Sequence, residues 1–262
     1  MGRTDIGVAG LALSLTLVAI AIVISRREQL RLERDMVVSV ARSLVQLLIV
    51  AAALELIVKD STPLFWSWLW VAAIVVFAAV TTRRRAPQLP GVLAIALFAN
   101  GITALAGLGL AFGLGIFPVE GRTVVPVAGM ITGNSMKSCV VVAQMLASLV
   151  AERRPDIEAR LALGLRGVDA ARPIVRQALR VAISPQIENT KALGIVFLPG
   201  AMTGLILAGV KPVDAVLVQL ALMWIILGAV VVTTAATALI GTRRLFTTDE
   251  RLIPVARSTA DE

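Results

Sequence analysis

Residues 213–240 read VDAVLVQLALMWIILGAVVVTTAATALI, with Asp214 as the only charged residue. A helix needs about 20 apolar residues, each rising 1.5 Å, to cross the hydrocarbon of a bilayer. This stretch is therefore long and apolar enough to span a membrane. Six other stretches also qualify: residues 6–25, 37–58, 64–82, 91–117, 124–150 and 192–210. The sequence predicts an all-α, polytopic membrane protein with about seven transmembrane helices.

The composition agrees with a membrane protein. Hydrophobic residues make up 58% of the 262 residues, charged residues only 16%, and the mean hydropathy is +0.88. A water-soluble domain typically has about 25% charged residues. The net charge of +8 does not indicate nucleic acid binding, because membrane proteins keep Lys and Arg on their cytoplasmic side.

Several chemical functions are excluded by what the sequence lacks. It contains no histidine and a single cysteine, Cys139, so a disulfide within one chain is impossible and the commonest general base is missing. No G-x-x-x-x-G-K-[ST], H-E-x-x-H, G-x-S-x-G or C-x-x-C motif occurs. We therefore expect no enzymatic activity and no cofactor bound by this chain.

The orientation follows from the Lys and Arg residues between the predicted spans. With the N-terminus outside, nineteen of the 25 basic residues fall in inner segments and four in outer segments. Cytoplasmic loops carry the excess of Lys and Arg. The sequence therefore predicts the N-terminus outside and the C-terminus inside.

The inner loop at residues 151–191 is the only sizeable soluble segment. Asp156 is predicted to cap a short helix that ends at Gly164, and Asp169 a second helix with Pro173 in its first turn. Arg172, Arg176 and Arg180 then follow at i, i+4 and i+8 on one face. Two short helices bury too little for an independent domain, so we expect one membrane domain, 1–262, in which this loop is a docking surface.

The fifth predicted span carries a polar stripe. At 100° per residue, Met130, Asn134, Lys137 and Gln144 share one face. Such a stripe is either the lining of a substrate pathway or a contact between helices. A lysine at mid-membrane costs about 2.5–3.5 kcal/mol, which favours a functional position for Lys137, although a buried ion pair with Glu55 or Glu188 is an alternative.

Two other spans add candidates. Gln46 lies deep in the second span, where it could face the interior. In the sixth span, proline at Pro199 removes a helix hydrogen bond, so Pro199, Gly200 and Gly204 are predicted to form a compliant hinge. The same span holds two further pathway candidates, Met202 and Thr203.

The inner loop also contains Glu158-Ala159-x-x-x-x-Gly164, which looks like the E-A-A-x-x-x-G loop by which ABC permeases dock on their ATPases. Arg160 stands where that motif has alanine. Over nearly its whole length the chain resembles the FetB family of ABC permeases, which includes bacterial iron exporters and plant aluminium-tolerance relatives. The segments that carry the resemblance are residues 41–47 (ARSLVQL), 128–136 (AGMITGNSM), 157–164 (IEARLALG) and 198–204 (LPGAMTG).

This resemblance implies a permease subunit of an ATP-driven exporter in the bacterial cytoplasmic membrane, for iron or another metal species. Glu158, Ala159, Arg160 and Gly164 would dock a separate cognate ABC ATPase, which binds ATP and Mg²⁺, and two permease copies would pair. The metal ligands are unknown.

Three alternatives remain open from the residues. A cationic Lys137 on the route would suit an anionic solute, such as a metal–chelate complex or a nucleotide sugar. A secondary transporter driven by an ion gradient would need an intramembrane carboxylate, for which Glu55 is the candidate. A membrane scaffold without transport would be indifferent to changes in the polar stripe.

Overall fold

The structure is a computed structural model that describes residues 8–57, 63–194 and 198–255. The described residues form helices joined by turns and short irregular segments, and Phe246 and Leu252 form an isolated antiparallel bridge in the C-terminal segment. The helices are α1 Val8–Arg27, α2 Glu33–Ile57, α3 Phe65–Arg85, α4 Val92–Gly113, α5 Gly121–Glu152, α6 Arg154–Ala162, α7 Gly167–Ala170, α8 Arg172–Lys191, α9 Gly200–Leu207 and α10 Pro212–Arg244. The chain divides into two compact units, Met1–Thr62 and Pro63–Glu262, called here the N-terminal unit and the main unit.

The N-terminal unit is a hairpin of α1 and α2. The fully buried Ser25 closes its turn, because its hydroxyl donates to Glu33 Oε1 at 3.0 Å and accepts from the Leu32 N–H at 3.2 Å. Gln29 and Arg31 have positive φ angles within this turn. Along both helices most described apolar side chains are exposed, as expected for helices that face lipid.

The main unit is built on α3, α4, α5 and α10, which pack against one another, except that α3 and α10 make no extensive contact. Small residues on their contact faces, such as Ala79, Ala96, Ala99 and Ala143, are completely buried. Small side chains let membrane helices approach closely. Close packing is important within a membrane, because lipid tails are as apolar as the helices and no hydrophobic effect drives the helices together. Turns at Ala86–Gly91 and Leu114–Glu120 join three of these helices.

α5 begins with a capping box. The Glu120 side chain accepts from the backbone N–H of Thr123, and the Thr123 hydroxyl accepts from the Glu120 N–H, so two free donors at the helix start are satisfied. The guanidinium of Arg122 donates to the Glu120 carboxylate, and this hydrogen bond lowers the pKa of Glu120. These hydrogen bonds fix the start of α5, the helix that carries the polar stripe.

Two buried clusters lie at opposite ends of the main unit. One joins the ends of α3, α5 and α10 to the start of α4 and to α6–α8. The arginines of these segments gather there, so we call it the basic end: Arg83, Arg84, Arg85, Arg153, Arg154, Arg160, Arg166, Arg172, Arg176, Arg180, Arg243, Arg244 and Arg251. The other cluster joins the starts of α3, α5 and α10 to the end of α4, near Arg122 and Lys211.

Five of the described helices are long and apolar enough to cross a membrane. They are Glu33–Ala52, Phe65–Arg85, Val92–Gly113, Gly121–Glu152 and Pro212–Arg244. They correspond to the predicted second, third, fourth, fifth and seventh spans. α1, at Val8–Arg27, occupies the first predicted span but is not among the five. Residues 6, 7, 58 and 195–197 of the predicted spans lie outside the described residues.

The sixth predicted span is the exception, because residues 192–210 do not form one helix. α8 ends at Lys191, and α9 covers only Gly200–Leu207, or about 12 Å of rise. Pro199, in extended conformation, is the N-cap of α9, and Gly194 and Gly209 have φ angles of 85° and 92°. The predicted span is interrupted around Pro199, where the sequence indicated a lost helix hydrogen bond, since these residues start or stop helices rather than continue them.

The broken segment nevertheless has to traverse the main unit. α8 starts in the cluster at the basic end, whereas Leu222 and Ile226 of α10 lie in the cluster at the other end. α9 packs against α10. Two helices, α8 and α9, lie along the chain between the basic end and the start of α10, and residues 195–197 between them are outside the described residues. These two helices are called here the α8–α9 crossing.

Candidate functional site

The predicted docking residues lie on α6, at the basic end. Pro155 is in its first turn, where a missing N–H costs little. The N-cap is Arg153, not Asp156 as predicted, and Asp156 instead sits in the first turn, where its charge complements the helix dipole. Gly164 has a φ of 87° and ends the segment, as predicted.

α6 is anchored by one side chain and otherwise exposed. Ile157 is 1% exposed within the cluster at the basic end. Glu158, Ala159 and Arg160 are exposed on the same helix, and Glu158 accepts from Arg154 Nε at 2.7 Å. The structure therefore brings the four predicted docking residues, which include Gly164, onto one accessible surface.

Apolar side chains adjoin these residues, and the sequence interpretation missed them. Leu163 is 80% exposed, Val168 42% and Leu165 39%. They follow α6 within a segment rich in arginine, outside every helix that is able to span a membrane. Exposed apolar groups rimmed by charge are typical of protein contact sites. Three apolar residues in a charged loop are the signal that could have indicated this surface.

α8 confirms the predicted arginine stripe and extends further than expected. Arg172, Arg176 and Arg180 are exposed, while Val175 and Ala178 on the other side are buried. This side packs against α5 and α10. The helix continues through Pro185 to Lys191, so it forms the first part of the α8–α9 crossing.

The polar stripe of α5 points away from the core of the main unit. Lys137 and Gln144 are exposed, and Met130 and Asn134 are half-buried. The opposite face, which includes Ile131, is buried. The stripe is therefore not enclosed within the main unit, and a pathway along it would need a second wall.

The four stripe residues differ in their bonding. Asn134 Nδ2 donates to the Met130 carbonyl at 2.8 Å, and Gln144 Nε2 donates to the Arg85 carbonyl, also at 2.8 Å. Gln144 thus ties α5 to the end of α3. Lys137, halfway along α5, forms no hydrogen bond or ion pair with any described side chain.

The two ion pairs proposed for Lys137 have different outcomes. Glu188 is paired instead with Lys191, at 2.9 Å and on the exposed surface of α8. The Glu55 side chain lies outside the described residues. The Glu188 alternative is therefore wrong, because Lys191, one turn away on the same helix, takes that carboxylate.

The remaining predicted residues lie elsewhere. Gln46 is exposed on α2, in the N-terminal unit. Met202 is half-buried on α9, and Thr203 Oγ1 donates to the Pro199 carbonyl at 3.3 Å. Gly200 and Gly204 also lie on α9, and a methyl group added at either residue would meet no other atom within 4 Å. The predicted hinge residues thus surround the start of a short, loosely packed helix.

A layer of buried polar side chains crosses the main unit and was not predicted. Thr233 Oγ1 donates to Thr103 Oγ1 at 2.7 Å, which joins α10 to α4. Cys139 Sγ lies 3.2 Å from Thr237 Oγ1, which joins α5 to α10. Asn100, also in this layer, donates to the carbonyl one turn earlier. Because the contacts between helices join residues roughly 100 positions apart, no local sequence pattern indicates them.

The donor chemistry does not favour a resident metal. Within the described ranges, no three His, Cys, Asp or Glu side chains are close enough to hold an ion. The buried layer offers one thiol, hydroxyls and an amide, a weaker set than the carboxylate, thiolate and imidazole groups that bind iron.

Five helices of membrane-spanning length and an arginine-rich end describe an α-helical membrane protein. Residues 8–246 match the family described as "Uncharacterised protein family (UPF0014)". This match covers most of the chain, which belongs to that family. No solved structure matches it.

Three of its relatives are proteins from a bacterium and two plants. The chain is 32% identical over 259 residues to the "Probable iron export permease protein FetB" of Escherichia coli (strain K12), with 97% of both chains covered. It is 33% identical over 214 residues to the "UPF0014 membrane protein STAR2" of Oryza sativa subsp. japonica, covering 81% of this chain and 74% of the relative. It is 32% identical over 225 residues to "Protein ALUMINUM SENSITIVE 3" of Arabidopsis thaliana, covering 84% and 81%. The resemblance inferred from the motifs is confirmed.

Proposed function

We propose that this chain is the membrane permease subunit of an ATP-driven exporter for iron or another metal species. A separate ABC ATPase would dock on α6 and its exposed apolar neighbours. The observation that carries this proposal is Leu163, 80% exposed and five residues after the exposed Glu158, on a charged segment outside the spans. The name of the FetB relative, a probable iron export permease protein, supports iron as the cargo. The resemblance of residues 158–164 to the docking loop of ABC permeases supports an ATPase as the partner.

The arginines support an orientation. Because the basic end holds nearly all of the arginine side chains of the main unit, we place it in the cytoplasm. The docking residues then face the compartment that contains ATP, and the C-terminus is inside. ATP and Mg²⁺ would bind to the partner ATPase. The complex would lie in the cytoplasmic membrane of a bacterium. That residues 1–262 form a single membrane domain stays a prediction.

The polar stripe of α5 supports a pair of permeases. An exposed lysine halfway along a membrane helix is costly, at about 2.5–3.5 kcal/mol, unless protein or water covers it. A second copy of the chain would supply the missing wall and leave a polar route past Met130, Asn134, Lys137 and Gln144. Gln46, Met202 and Thr203 are further candidates for that route.

Docking would act on the route through two packed elements. α8 contacts both α5 and α10, so a displacement at the basic end reaches the striped helix. α9 begins at Pro199 and Gly200 after a break, and discontinuous helices are typical of transporter sites. We assign the hinge of the transport cycle to this break.

The experiment compares the purified permease with a candidate ABC ATPase from the same genome, in lipid. Glu158→Arg should lower association at least about tenfold, because it reverses a charge within the docking surface. Glu152→Arg makes the same change in charge outside α6 and should bind normally. Equal binding of both variants, or no binding by the unaltered chain, would overturn the proposal.

One observation favours a second cargo. Lys137 is exposed on the stripe and has no described partner, so it would repel a free cation and attract an anion. An anionic solute, such as a metal–chelate complex or a nucleotide sugar, is therefore the alternative. ATPase stimulation by iron salts, iron–chelate and nucleotide sugars, measured with Lys137 and with Lys137→Ala, separates the two cargoes.

A further inference from the structure

The chain after α10 folds back on itself in a short hairpin. Its residues run from Leu245 to Val255. The Ile253 N–H donates to the Leu245 carbonyl at 2.8 Å, and the Thr247 N–H donates to the Arg251 carbonyl at 2.9 Å. Phe246 and Leu252 form an antiparallel bridge. We call this segment the C-terminal hairpin.

The hairpin is packed into the basic end. Leu245 is fully buried and Leu252 is 8% exposed, and both belong to the cluster that includes Ile157 of α6 and Ala170 of α7. Phe246 packs against the same cluster. The hairpin is therefore part of the core that supports the docking residues.

The hairpin also contacts the first residue of α7, Gly167. The backbone N–H of Gly167 donates to Glu250 Oε2 at 2.5 Å, so a residue of the hairpin satisfies a donor at the helix start. The Phe246 ring covers the same residue. A methyl group on Gly167 would lie 2.5 Å from two ring carbons of Phe246 and 2.8 Å from Glu250 Oε2. Only glycine fits without displacing the hairpin.

This contact joins two functional parts of the chain by a short route. We call residues 154–164, which contain the docking residues, the docking segment. Gly167 follows this segment closely, and Phe246 lies just after the end of α10 at Arg244. α7 also contacts α10. A shift of the docking segment therefore reaches the end of the longest membrane helix through one hydrogen bond and one ring contact.

We propose that the C-terminal hairpin is a clasp that transmits movement of the docked ATPase to α10, with Glu250 and Phe246 as positioning residues. This proposal rests on the proposed function, since it assumes that α6 is the docking helix. In this proposal the clasp acts on α10 without binding the ATPase. Breaking it should leave association intact and remove the effect of the permease on ATP hydrolysis.

Two variants break the clasp in different ways. Gly167→Ala forces Phe246 and Glu250 away by steric conflict, and Glu250→Leu removes the acceptor. Glu250→Gln keeps an acceptor oxygen and should rescue the function. The matched controls are Gly109→Ala, at an exposed glycine with open space, and Asp249→Leu, at the neighbouring exposed carboxylate.

The first measurement is hydrogen exchange of the full chain in lipid nanodiscs, without the ATPase. In Gly167→Ala and Glu250→Leu, peptides that cover Gly167–Ala170 and residues 245–255 should exchange at least about tenfold faster, as expected for losing a hydrogen bond to a charged group. The controls and Glu250→Gln should match the unaltered chain. Unchanged exchange in the two clasp variants would overturn the clasp, whatever the ATPase does.

The second measurement gives affinity for the ATPase and the permease-dependent rate of ATP hydrolysis. In the clasp variants we expect the affinity to change less than about twofold and the rate to fall at least about fivefold, the lower range of coupling between sites. A merely structural role would lower both together. If the rate is unchanged, or if both fall, transmission through the hairpin is refuted.

The two proposals fail in different ways. If the unaltered chain does not bind the ATPase while exchange still responds to the clasp variants, the docking function is wrong, and the transmission role is refuted with it. If the chain binds and Glu158→Arg abolishes binding, but the clasp variants hydrolyse ATP normally, only the clasp role is refuted.

Discussion

α10 and the α8–α9 crossing traverse the same main unit in opposite directions but are built differently. α10 is one helix of 33 residues, and its side chains Leu222, Ile226 and Val230 are at most 1% exposed. The crossing is interrupted after Lys191, and none of the eight residues of α9 is buried.

The difference indicates which element moves. A continuous helix that is packed on α4, α5 and α8 can shift only as a rigid body. A short helix with an extended proline at its start and few buried side chains can shift at low free-energy cost. On the proposed function, α10 would be the fixed frame and α9 the moving part.

The largest effect is expected from breaking α10. Ala235→Pro removes a hydrogen bond in the helix interior and adds a steric clash, at a cost of about 3 kcal/mol or more. We expect most of the folded protein to be lost, measured as the monodisperse fraction in size-exclusion chromatography after extraction. Ala235→Val is the control, since valine leaves the backbone bonded. A normal elution profile for Ala235→Pro would contradict the rigid frame.

A large effect on stability is also expected from shortening a buried side chain of α10. Ile226→Ala leaves a cavity and should lower the free energy of unfolding by about 2–5 kcal/mol. Leu207→Ala on α9, where the side chain is 73% exposed, should change it by less than about 0.5 kcal/mol. Denaturant titration in mixed micelles measures both. Equal losses would show that α9 is packed as firmly as α10.

A smaller effect on stability, but a clear one on activity, is expected at the break. Pro199→Ala restores a backbone donor and lets α9 lengthen at its start, so the hinge stiffens. We expect normal folding and a fall of at least about fivefold in permease-dependent ATP hydrolysis. Pro212→Ala is the matched control, because that proline lies in the first turn of α10, where its missing N–H costs little. Full activity in Pro199→Ala would remove the hinge role.

The smallest effect is expected in the buried polar layer. The hydrogen bond between Thr103 and Thr233 joins α4 to α10, and such bonds within membranes average about 0.6 kcal/mol. A double-mutant cycle with valine at both positions should return a coupling of that size. Thr234→Val is the control, since that hydroxyl bonds only to its own helix. A coupling indistinguishable from zero would mean that apolar packing alone holds the two helices.

The inner loop at residues 151–191 was the most predictable part of the candidate site. Pro173 in a first turn, Gly164 at a helix end and arginines at i, i+4 and i+8 depend on neighbours in sequence, and the structure has all three. The cap assignment to Asp156 failed by a few residues because α5 ends at Glu152 and α6 begins almost at once. The polar stripe of α5 was also predictable, since helical periodicity places its residues on one face.

Three features could not be predicted from local patterns. The sequence indicated a weak point at Pro199 within residues 192–210, but not that the helices on either side would end at Lys191 and begin at Gly200. The pairing of Thr103 with Thr233 and the contact of Glu250 with Gly167 join residues that are far apart in sequence. Glu250 and Phe246 look like ordinary tail residues until the hairpin brings them to α7.

By itself, the sequence determined that the chain is a helical membrane protein, where most of its long helices run, and that its arginines concentrate in a few segments. These properties follow from hydropathy and periodicity, which act within a single helix. Only the tertiary structure decided that the arginine-rich segments meet at one end, that the polar stripe faces outward and that the C-terminal hairpin closes on Gly167. Each of these depends on which helices pack together, and helix packing is selected by contacts between distant residues.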